Sequence, residues 1–235
     1  MVGGIPSGAE VLDLASGPGA LSVAAAELGA RVTAVDVSED MVARVAQRLA
    51  PYPGCSALVM DAQDPSFGDD SFDISFSMFG VINLPDWNKA LREMARVTRP
   101  GGHVCVSSWK DPRTVASVGL LVEAMAEVFP GRETIPVPAG VQLAAEPDVL
   151  REGLSEAGFR DVTVQSVQVV WEVPSVAGFL ARLDEAYGFM PLYRDMTIDE
   201  RDRLTPALRV AAHRRAGSDG TLRATTIAHL AAGRA

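Results

Sequence analysis

Short apolar runs alternate with helix-like segments through the first half of the chain. Five of these runs have the length of a strand, and they cover residues 10–14, 31–36, 56–61, 72–78 and 103–109. Because strands that alternate with helices pair in parallel and are covered on both faces, the pattern predicts an α/β fold with a parallel sheet.

Local signals place the helices between these strands. An Ala-rich stretch, 21–28, precedes Gly29, which suits the left-handed position after a helix. Ser38 is an N-cap for a helix over 38–50, which two prolines then stop. A third helix is predicted over 86–97, with an apolar stripe of Trp87, Leu91, Met94 and Val97.

The second half of the chain is less regular, and its elements are predicted from helical stripes, turn residues and alternation. Helices are expected over 114–129, 148–157, 175–187 and 199–216, with a proline-containing loop after the first of them. Strands are expected over 162–173, where Val and Gln alternate, and over 222–230, after a turn at Asp219-Gly220.

Composition narrows the class of protein. A chain of 235 residues with 48% hydrophobic residues is expected to bury one core in a single domain. The 30 acidic and 21 basic residues give a net charge of −9, so nucleic acid is not an expected partner. No signal peptide and no long apolar span are visible, which predicts a cytoplasmic protein without a membrane partner. Cys55 and Cys105 lack partners at metal-ligand spacing, so no metal site is expected.

The first strand runs into a loop of small residues. Asp13 is followed by Ala15, Ser16, Gly17 and Gly19, and residues with little or no side chain allow a ligand to approach the backbone. A dinucleotide fingerprint would require a third glycine, and a carboxylate upstream suits a cationic ligand better than a phosphate. Taken alone, the loop is equally compatible with a purely structural turn.

Polar residues also end the following strands. Asp36 ends the second strand, where a carboxylate can accept hydrogen bonds from a ribose diol. Asp61, Ala62 and Gln63 follow the third strand, and the segment 77–80 ends the fourth. Each is individually compatible with an ordinary turn, but together they converge on the edge where open α/β sheets bind ligands.

At residues 11–109 the chain resembles a class I S-adenosylmethionine-dependent methyltransferase domain, of the ubiquinone/menaquinone-biosynthesis-like (methyltransferase type 11) branch. The phrases that carry the resemblance follow in family order: VLDLASGPGALS, VTAVDVSEDMV, DAQD, SFDISFSMFGVINLPD, ALREMARVTRPGG and, later, LSEAGF. The resemblance implies a Rossmann-like, seven-stranded, mostly parallel sheet with helices on both faces and helical lid insertions.

The resemblance also implies a cofactor, S-adenosylmethionine, with S-adenosylhomocysteine as the product. Twelve residues would bind it. Asp13, Ala15, Ser16, Gly17 and Gly19 would line the methionine end, Asp36 would bind the ribose, Val37 and Met41 would flank the adenine, Asp61, Ala62 and Gln63 would hold the adenine edge, and Ser77 would contact the methionine part.

Two departures from the family affect this interpretation. Ala15 and Ser16 stand where relatives usually have Gly and another small residue, which narrows the space beside the ligand by a methyl group. Only about ten residues precede the first strand, where relatives generally have helices that close over the cofactor. We therefore expect that segments 112–145 and 174–220 cover the site instead and form an acceptor-selecting lid. The lid hypothesis divides the single domain 1–235 into a cofactor-binding core, 1–111, the two insertions, and segments 146–173 and 221–235, which complete the sheet.

One face of the second insertion is expected to be apolar. Its residues recur at helical spacing, as expected either for a pocket wall or for ordinary core. They are Phe179, Leu183, Tyr187 and Met190.

The expected activity is methyl transfer to a small, largely apolar organic molecule, at oxygen or carbon rather than nitrogen. The Asn-Pro-Pro-Tyr motif of enzymes that methylate nucleic-acid amines is absent after the fourth strand. No catalytic residue is assigned, because His103, His213 and His229 are all explained as structural or solvated residues. The sequence decides neither the acceptor nor the oligomeric state, and it is compatible with a homodimer.

Three other functions share parts of this pattern. A protein of the same fold that has lost transfer, or that uses the cofactor in a rearrangement, would keep every motif. A regulatory binding module would bind the cofactor without an acceptor, and a nucleotide-dependent dehydrogenase would be expected to have the third glycine.

Overall fold

A computed structural model describes residues 4–112, 115–132, 138–188 and 190–235. The strands are β1 (Glu10–Leu14), β2 (Arg31–Asp36), β3 (Ser56–Val59), β4 (Phe72–Met78), β5 (Thr98–Trp109), β6 (Arg160–Val173) and β7 (Leu222–Arg234). The helices are α1 (Ala20–Glu27), α2 (Glu39–Leu49), α3 (Trp87–Val97), α4 (Ala116–Val128), α5 (Ala139–Leu143), α6 (Pro147–Glu156), α7 (Val176–Leu180), α8 (Leu183–Tyr187), α9 (Pro191–Arg194) and α10 (Ile198–Arg215).

The strands form one seven-stranded sheet in the order β3-β2-β1-β4-β5-β7-β6. The first five pair in parallel, and β7 runs antiparallel to β5. The predicted fold class is therefore confirmed. Since β1 lies between β2 and β4, the strand order reverses at β1, and such a switch point opens a crevice at the carboxyl ends of the strands.

The described residues fall into two compact units. The first comprises residues 1–109, 138–167 and 228–235, and it contains two apolar clusters on the sheet. Val11 belongs to one cluster and its neighbour Leu12 to the other, because successive strand side chains point to opposite faces. The second comprises residues 110–137 and 168–227 and has its own core. Within the described residues, none of the helices combines the length and apolar character needed to cross a bilayer.

Several predicted elements differ from the observed ones. The helix expected over 175–187 is two helices, α7 and α8, so its prediction as one element is wrong. The backbone N–H of Arg182 donates to the carbonyl of Phe179 instead of that of Gly178. The Arg182 guanidinium donates to the Gly178 carbonyl in its place, and the first helix ends there. Strand β5 begins at Thr98, five residues before the expected start, because Thr98 pairs with Phe72 across a register shift.

Other differences are the ends of three strands and several short helices or helix ends. Strand β3 ends at Val59 instead of residue 61, β6 begins at Arg160 instead of residue 162, and β7 continues to Arg234 instead of residue 230. Helix α5 has five residues and lies in the segment predicted as a proline-containing loop, and α9 has four residues in a segment for which no element was predicted. So short a segment has no helical period to recognise. The start expected for α4, Thr114, lies outside the described residues. The predicted N-cap of α2 is confirmed, since the Ser38 side chain accepts a hydrogen bond from the Met41 N–H.

A buried polar pair joins β1 to α1. Asp13 is 1% exposed, and its Oδ2 accepts a hydrogen bond from the Ser22 hydroxyl at 2.5 Å. Loss of hydration on burial raises the pKa of Asp13 to about 7, and the Ser22 hydrogen bond opposes the shift only in part. The fold therefore holds a carboxyl group that changes charge near neutral pH.

The Asp13 carboxyl group is expected to make stability depend on pH. Its pKa is higher in the folded than in the unfolded chain, so folding binds a proton between pH 4 and 7 and the free energy of unfolding falls as the pH rises through that window. Asp13→Asn removes the group and keeps an acceptor for Ser22. In urea titrations from pH 4 to 8, the variant should match the wild type at pH 4 and be more stable at pH 8, by up to about 4 kcal/mol. Identical pH profiles would contradict the assignment.

Two glycines of the loop after β1 adopt left-handed conformations with different surroundings. Gly17 has φ +53° and Gly19 has φ +76°. A Cβ added at Gly19 would lie 2.2 Å from Cγ2 of Val45 in α2, whereas a Cβ added at Gly17 would meet no heavy atom within 4 Å. The absence of a side chain at Gly19 therefore permits α1 and α2 to pack together. At Gly17, by contrast, no neighbouring atom excludes a side chain.

The substitutions Gly17→Ala and Gly19→Ala are matched controls for each other. Gly17→Ala incurs only the left-handed strain, about 1–2 kcal/mol, whereas Gly19→Ala adds the clash with Val45 and should cost about 2–5 kcal/mol. Urea denaturation with a common m-value measures both. Equal losses of stability in the two variants would show that the Val45 contact does not determine the residue at position 19.

Candidate functional site

The ends of three adjacent strands define the candidate site. Strands β2, β1 and β4 are neighbours in the sheet, and they end at Asp36, Leu14 and Met78. Since parallel strands end at the same edge, the loops that follow them lie side by side. This arrangement brings together the predicted residues of the first, second and fourth strand ends.

The loop after β1 is held closely against the residues that follow β4. Ala15 has φ +55°, a conformation that favours glycine, which agrees with the glycine expected there from the family pattern. A Cβ added at Gly80 would lie 2.6 Å from the Ala15 Cβ and 2.7 Å from its carbonyl oxygen. Gly80 therefore permits the two loops to touch, and sequence reasoning did not assign it this role.

Ser16 contributes an unpaired polar group to the same loop. Its backbone N–H bonds to the Val35 carbonyl at 2.9 Å, which fixes the loop on β2. Its hydroxyl oxygen is buried and has no hydrogen-bond partner among the described residues. Because buried polar atoms are rarely left unpaired, this atom is suited to receive a ligand group.

Asp36 links two of the loops through its carboxylate. Oδ2 accepts a hydrogen bond from the Gly17 N–H at 2.8 Å, and Oδ1 accepts one from the Ser38 N–H at 3.0 Å. A carboxylate has about four acceptor positions, so two remain for a ligand. The side chain is only partly buried, which leaves those positions accessible.

The residues that follow Asp36 have the character expected of an apolar ligand contact. Val37 is 72% exposed, which is unusual for a valine directly after a buried strand. Met41 lies in the first turn of α2 and is partly buried. The two side chains offer apolar surface beside the Asp36 carboxylate, as a ring face would require.

Asp61, Ala62 and Gln63 form a turn after β3 with hydrogen bonds of its own. Asp61 accepts from the Gln63 backbone N–H at 2.8 Å and from the Gln63 side-chain amide at 3.3 Å. The side-chain amide oxygen of Gln63 accepts from the backbone N–H of Asp86, the N-cap of α3. Ala62 is buried in the core and offers no polar side-chain group, whereas the exposed Asp61 carboxylate has acceptor capacity left for a ligand.

The predicted contacts at Asp13 and Ser77 involve buried side chains. The Asp13 carboxyl group bonds to Ser22, as described above. The Ser77 hydroxyl donates to the Leu14 carbonyl at 2.7 Å and accepts from the Val81 N–H at 3.0 Å. The geometry gives Ser77 the role of holding β1 against the turn after β4, and its contact with a cofactor stays a prediction.

The histidines remain unassigned as a general base. His229 is buried, with Nε2 donating to the Ala145 carbonyl and Nδ1 accepting from the Ser166 hydroxyl. His103 is exposed and lies six positions before the carboxyl end of β5. His213 is exposed on α10.

Comparisons with known proteins agree with this geometry. A family described as "Methyltransferase domain" matches residues 11–102. A demethylmenaquinone methyltransferase of Paenarthrobacter aurescens is 32% identical over 169 residues, 68% of this chain and 66% of that protein. The enzyme of the same name from Mycobacterium tuberculosis H37Rv is 35% identical over 167 residues, 67% of this chain and 69% of that protein. The chain thus spans about two thirds of the length of these curated relatives.

The solved structures agree at the level of the fold. The YcgJ protein of Bacillus subtilis superposes with a TM-score of 0.60 at 16% identity, over 98% of this chain and 93% of that one. This likeness extends over nearly the whole chain and shows the fold. The chain belongs to the class I S-adenosylmethionine-dependent methyltransferases.

Proposed function

We propose that this chain transfers the methyl group of S-adenosylmethionine to a small, largely apolar organic acceptor, at carbon or oxygen. The observation that carries the proposal is the Asp36 carboxylate, which holds the Gly17 loop and keeps two acceptor positions free beside exposed apolar surface. A ribose diol supplies two donors for such an acceptor pair.

The residues of the loop fit the rest of this cofactor. A Cβ added at Gly17 would meet no protein atom within 4 Å, so the space beside its backbone is open to a ligand. The unpaired Ser16 hydroxyl is available for a polar ligand atom. Val37 and Met41 supply apolar contacts for an adenine ring. Asp61, with acceptor capacity left, would bind at its edge.

The chemistry follows from the charge of the cofactor. When bound, the sulfonium supplies an already activated methyl group, so the chain's own residues have to position the acceptor and exclude water. Asp36 would orient the nucleoside. Asp13, whose pKa of about 7 leaves it partly ionised at neutral pH, would favour a cationic over a neutral ligand once it loses its proton.

The acceptor class is proposed from two further considerations. The two relatives are named as demethylmenaquinone methyltransferases, which supports a quinone-like acceptor here. A net charge of −9 disfavours a polyanion such as DNA or RNA. The alternative, a protein of this fold that binds the cofactor without transferring its methyl group, would share every feature of the site.

Acceptor selection by the lid segments 112–145 and 174–220 stays a hypothesis. In the structure, Phe179, Leu183 and Tyr187 are buried in the core of the second unit, and the Tyr187 hydroxyl donates to the Ser117 carbonyl at 2.8 Å. Packing therefore explains these three residues without an acceptor. Met190 is partly buried against the same core.

The proposal predicts transfer of a labelled methyl group. Wild-type protein incubated with methyl-labelled S-adenosylmethionine and reduced demethylmenaquinone should yield labelled organic product, measured by extraction and mass spectrometry.

Asp36→Asn removes the charge from the ribose hydrogen bonds, which are worth roughly 1.5–3 kcal/mol, so calorimetry should give an S-adenosylhomocysteine affinity about ten- to a hundredfold lower.

Asp40→Asn is the matched control, because Asp40 is an exposed carboxylate in the first turn of α2 and its substitution changes the net charge equally. Its affinity should stay within about twofold of the wild type. An unchanged dissociation constant in folded Asp36→Asn would refute the ribose assignment. Cofactor binding without any labelled product, across quinol, phenol and carbon-acid acceptors, would favour the non-transferring alternative.

A further inference from the structure

Phe79 occupies a backbone conformation that its side chain does not favour. It follows the last residue of β4 and has φ +59°, in the left-handed region where a bulky residue is a steric outlier and glycine is not. Its N–H donates to the Ser107 hydroxyl at 2.9 Å, and its carbonyl accepts from the Asn83 side-chain amide at 2.6 Å. Two side chains thus hold the strained backbone, and strain of this kind is concentrated at functional sites.

The ring of Phe79 is stacked on Trp109. The ring centroids are 3.8 Å apart and the planes differ by 8°, so the two rings are almost parallel. Trp109 ends β5, the strand beside β4, and both side chains remain partly exposed. The pair therefore presents aromatic surface at the carboxyl edge of the sheet.

The position of the pair separates it from the proposed nucleoside contacts. Asp36 and Val37 lie at the end of β2, whereas Phe79 follows β4 and Trp109 ends β5. Strand β1 lies between the two groups in the sheet. From β2 to β5 the sheet spans three strand spacings, about 14 Å. The adenine and the aromatic pair thus belong to different sides of the β1 loop.

The pair is nevertheless directly connected to that loop. Gly80, the next residue after Phe79, is in steric contact with Ala15, as its lack of a Cβ permits. Ala15 belongs to the segment proposed to line the methionine end, where the reactive methyl group is carried. An aromatic surface one residue away from this contact suits the molecule that receives the methyl group.

We propose that Phe79 and Trp109 form a stacking platform for the acceptor, and that the acceptor is accordingly a planar aromatic ring system. This inference rests on the proposed function. Aromatic stacking recognises any flat π-system and discriminates against a saturated ring of the same outline.

The test compares two probes with the same carbon skeleton and hydroxyl position, one aromatic and planar, the other saturated. Binding of 1-naphthol and of its saturated analogue, decahydro-1-naphthol, is measured by calorimetry on the full-length protein with saturating S-adenosylhomocysteine. Wild-type protein should bind 1-naphthol about ten- to a hundredfold more tightly than the saturated probe. Phe79→Leu keeps apolar bulk without a π-face, so it should remove most of that preference and leave the S-adenosylhomocysteine affinity within about twofold.

Phe67→Leu is the matched control. Phe67 is another partly buried phenylalanine of the same unit, in edge contact with Phe72, and its substitution should leave the preference between the probes intact. If Phe79→Leu does not fold, Trp109→Leu serves as the second variant. The preference of the wild-type protein for 1-naphthol over the saturated probe is measured independently of either variant.

Equal affinities for the two probes in the wild type, no binding of 1-naphthol, or an unchanged preference in Phe79→Leu would each overturn the platform. S-adenosylhomocysteine is titrated into the protein before the probes, and absence of binding in that titration would overturn the proposed function and the platform with it. The two failures are therefore distinguished by whether the cofactor product or only the aromatic probe fails to bind.

Discussion

The site depends on the hydrogen bonds that the Asp36 carboxylate accepts from the backbone N–H groups of Gly17 and Ser38. The hydrogen bond from Gly17 fixes the left-handed backbone of the loop after β1, and the hydrogen bond from Ser38 fixes the N-cap residue of α2. Because a charge-assisted hydrogen bond is stronger than a neutral one, a single carboxylate at a strand end orders both loops. The same group keeps acceptor positions for a ligand, so the order of the loops and the capacity to bind arise together.

The opposite side of the β1 loop is ordered by steric fit and by one hydroxyl group. Ser77 links Leu14 to Val81, and the contact between Ala15 and Gly80 leaves no room for a side chain at position 80. Ser77 and Gly80 are therefore committed to holding these loops together. The Asp36 carboxylate and the buried Ser16 hydroxyl keep hydrogen-bonding capacity for a ligand.

Much of the fold was predictable because buried strands of this sheet are short apolar runs with clear ends. The bounds of β1, β2 and β4 agree with the prediction, and Ser38 caps α2 as its sequence indicates. The break between α7 and α8 depends on where the Arg182 side chain bonds, which helical spacing does not encode. The site residues were found by position, but the partners of Ser77 and the left-handed backbone of Phe79 depend on contacts between distant segments.

The central claim is that Asp36 binds the ribose of the cofactor while it holds the loop after β1. A crystal structure of the protein with S-adenosylhomocysteine tests this most directly. The account predicts ribose hydroxyl oxygens at about 2.6–3.2 Å from the Asp36 carboxylate, with the bond to the Gly17 N–H retained. A nucleoside bound elsewhere, or an Asp36 carboxylate that contacts only Gly17 and Ser38, would contradict it.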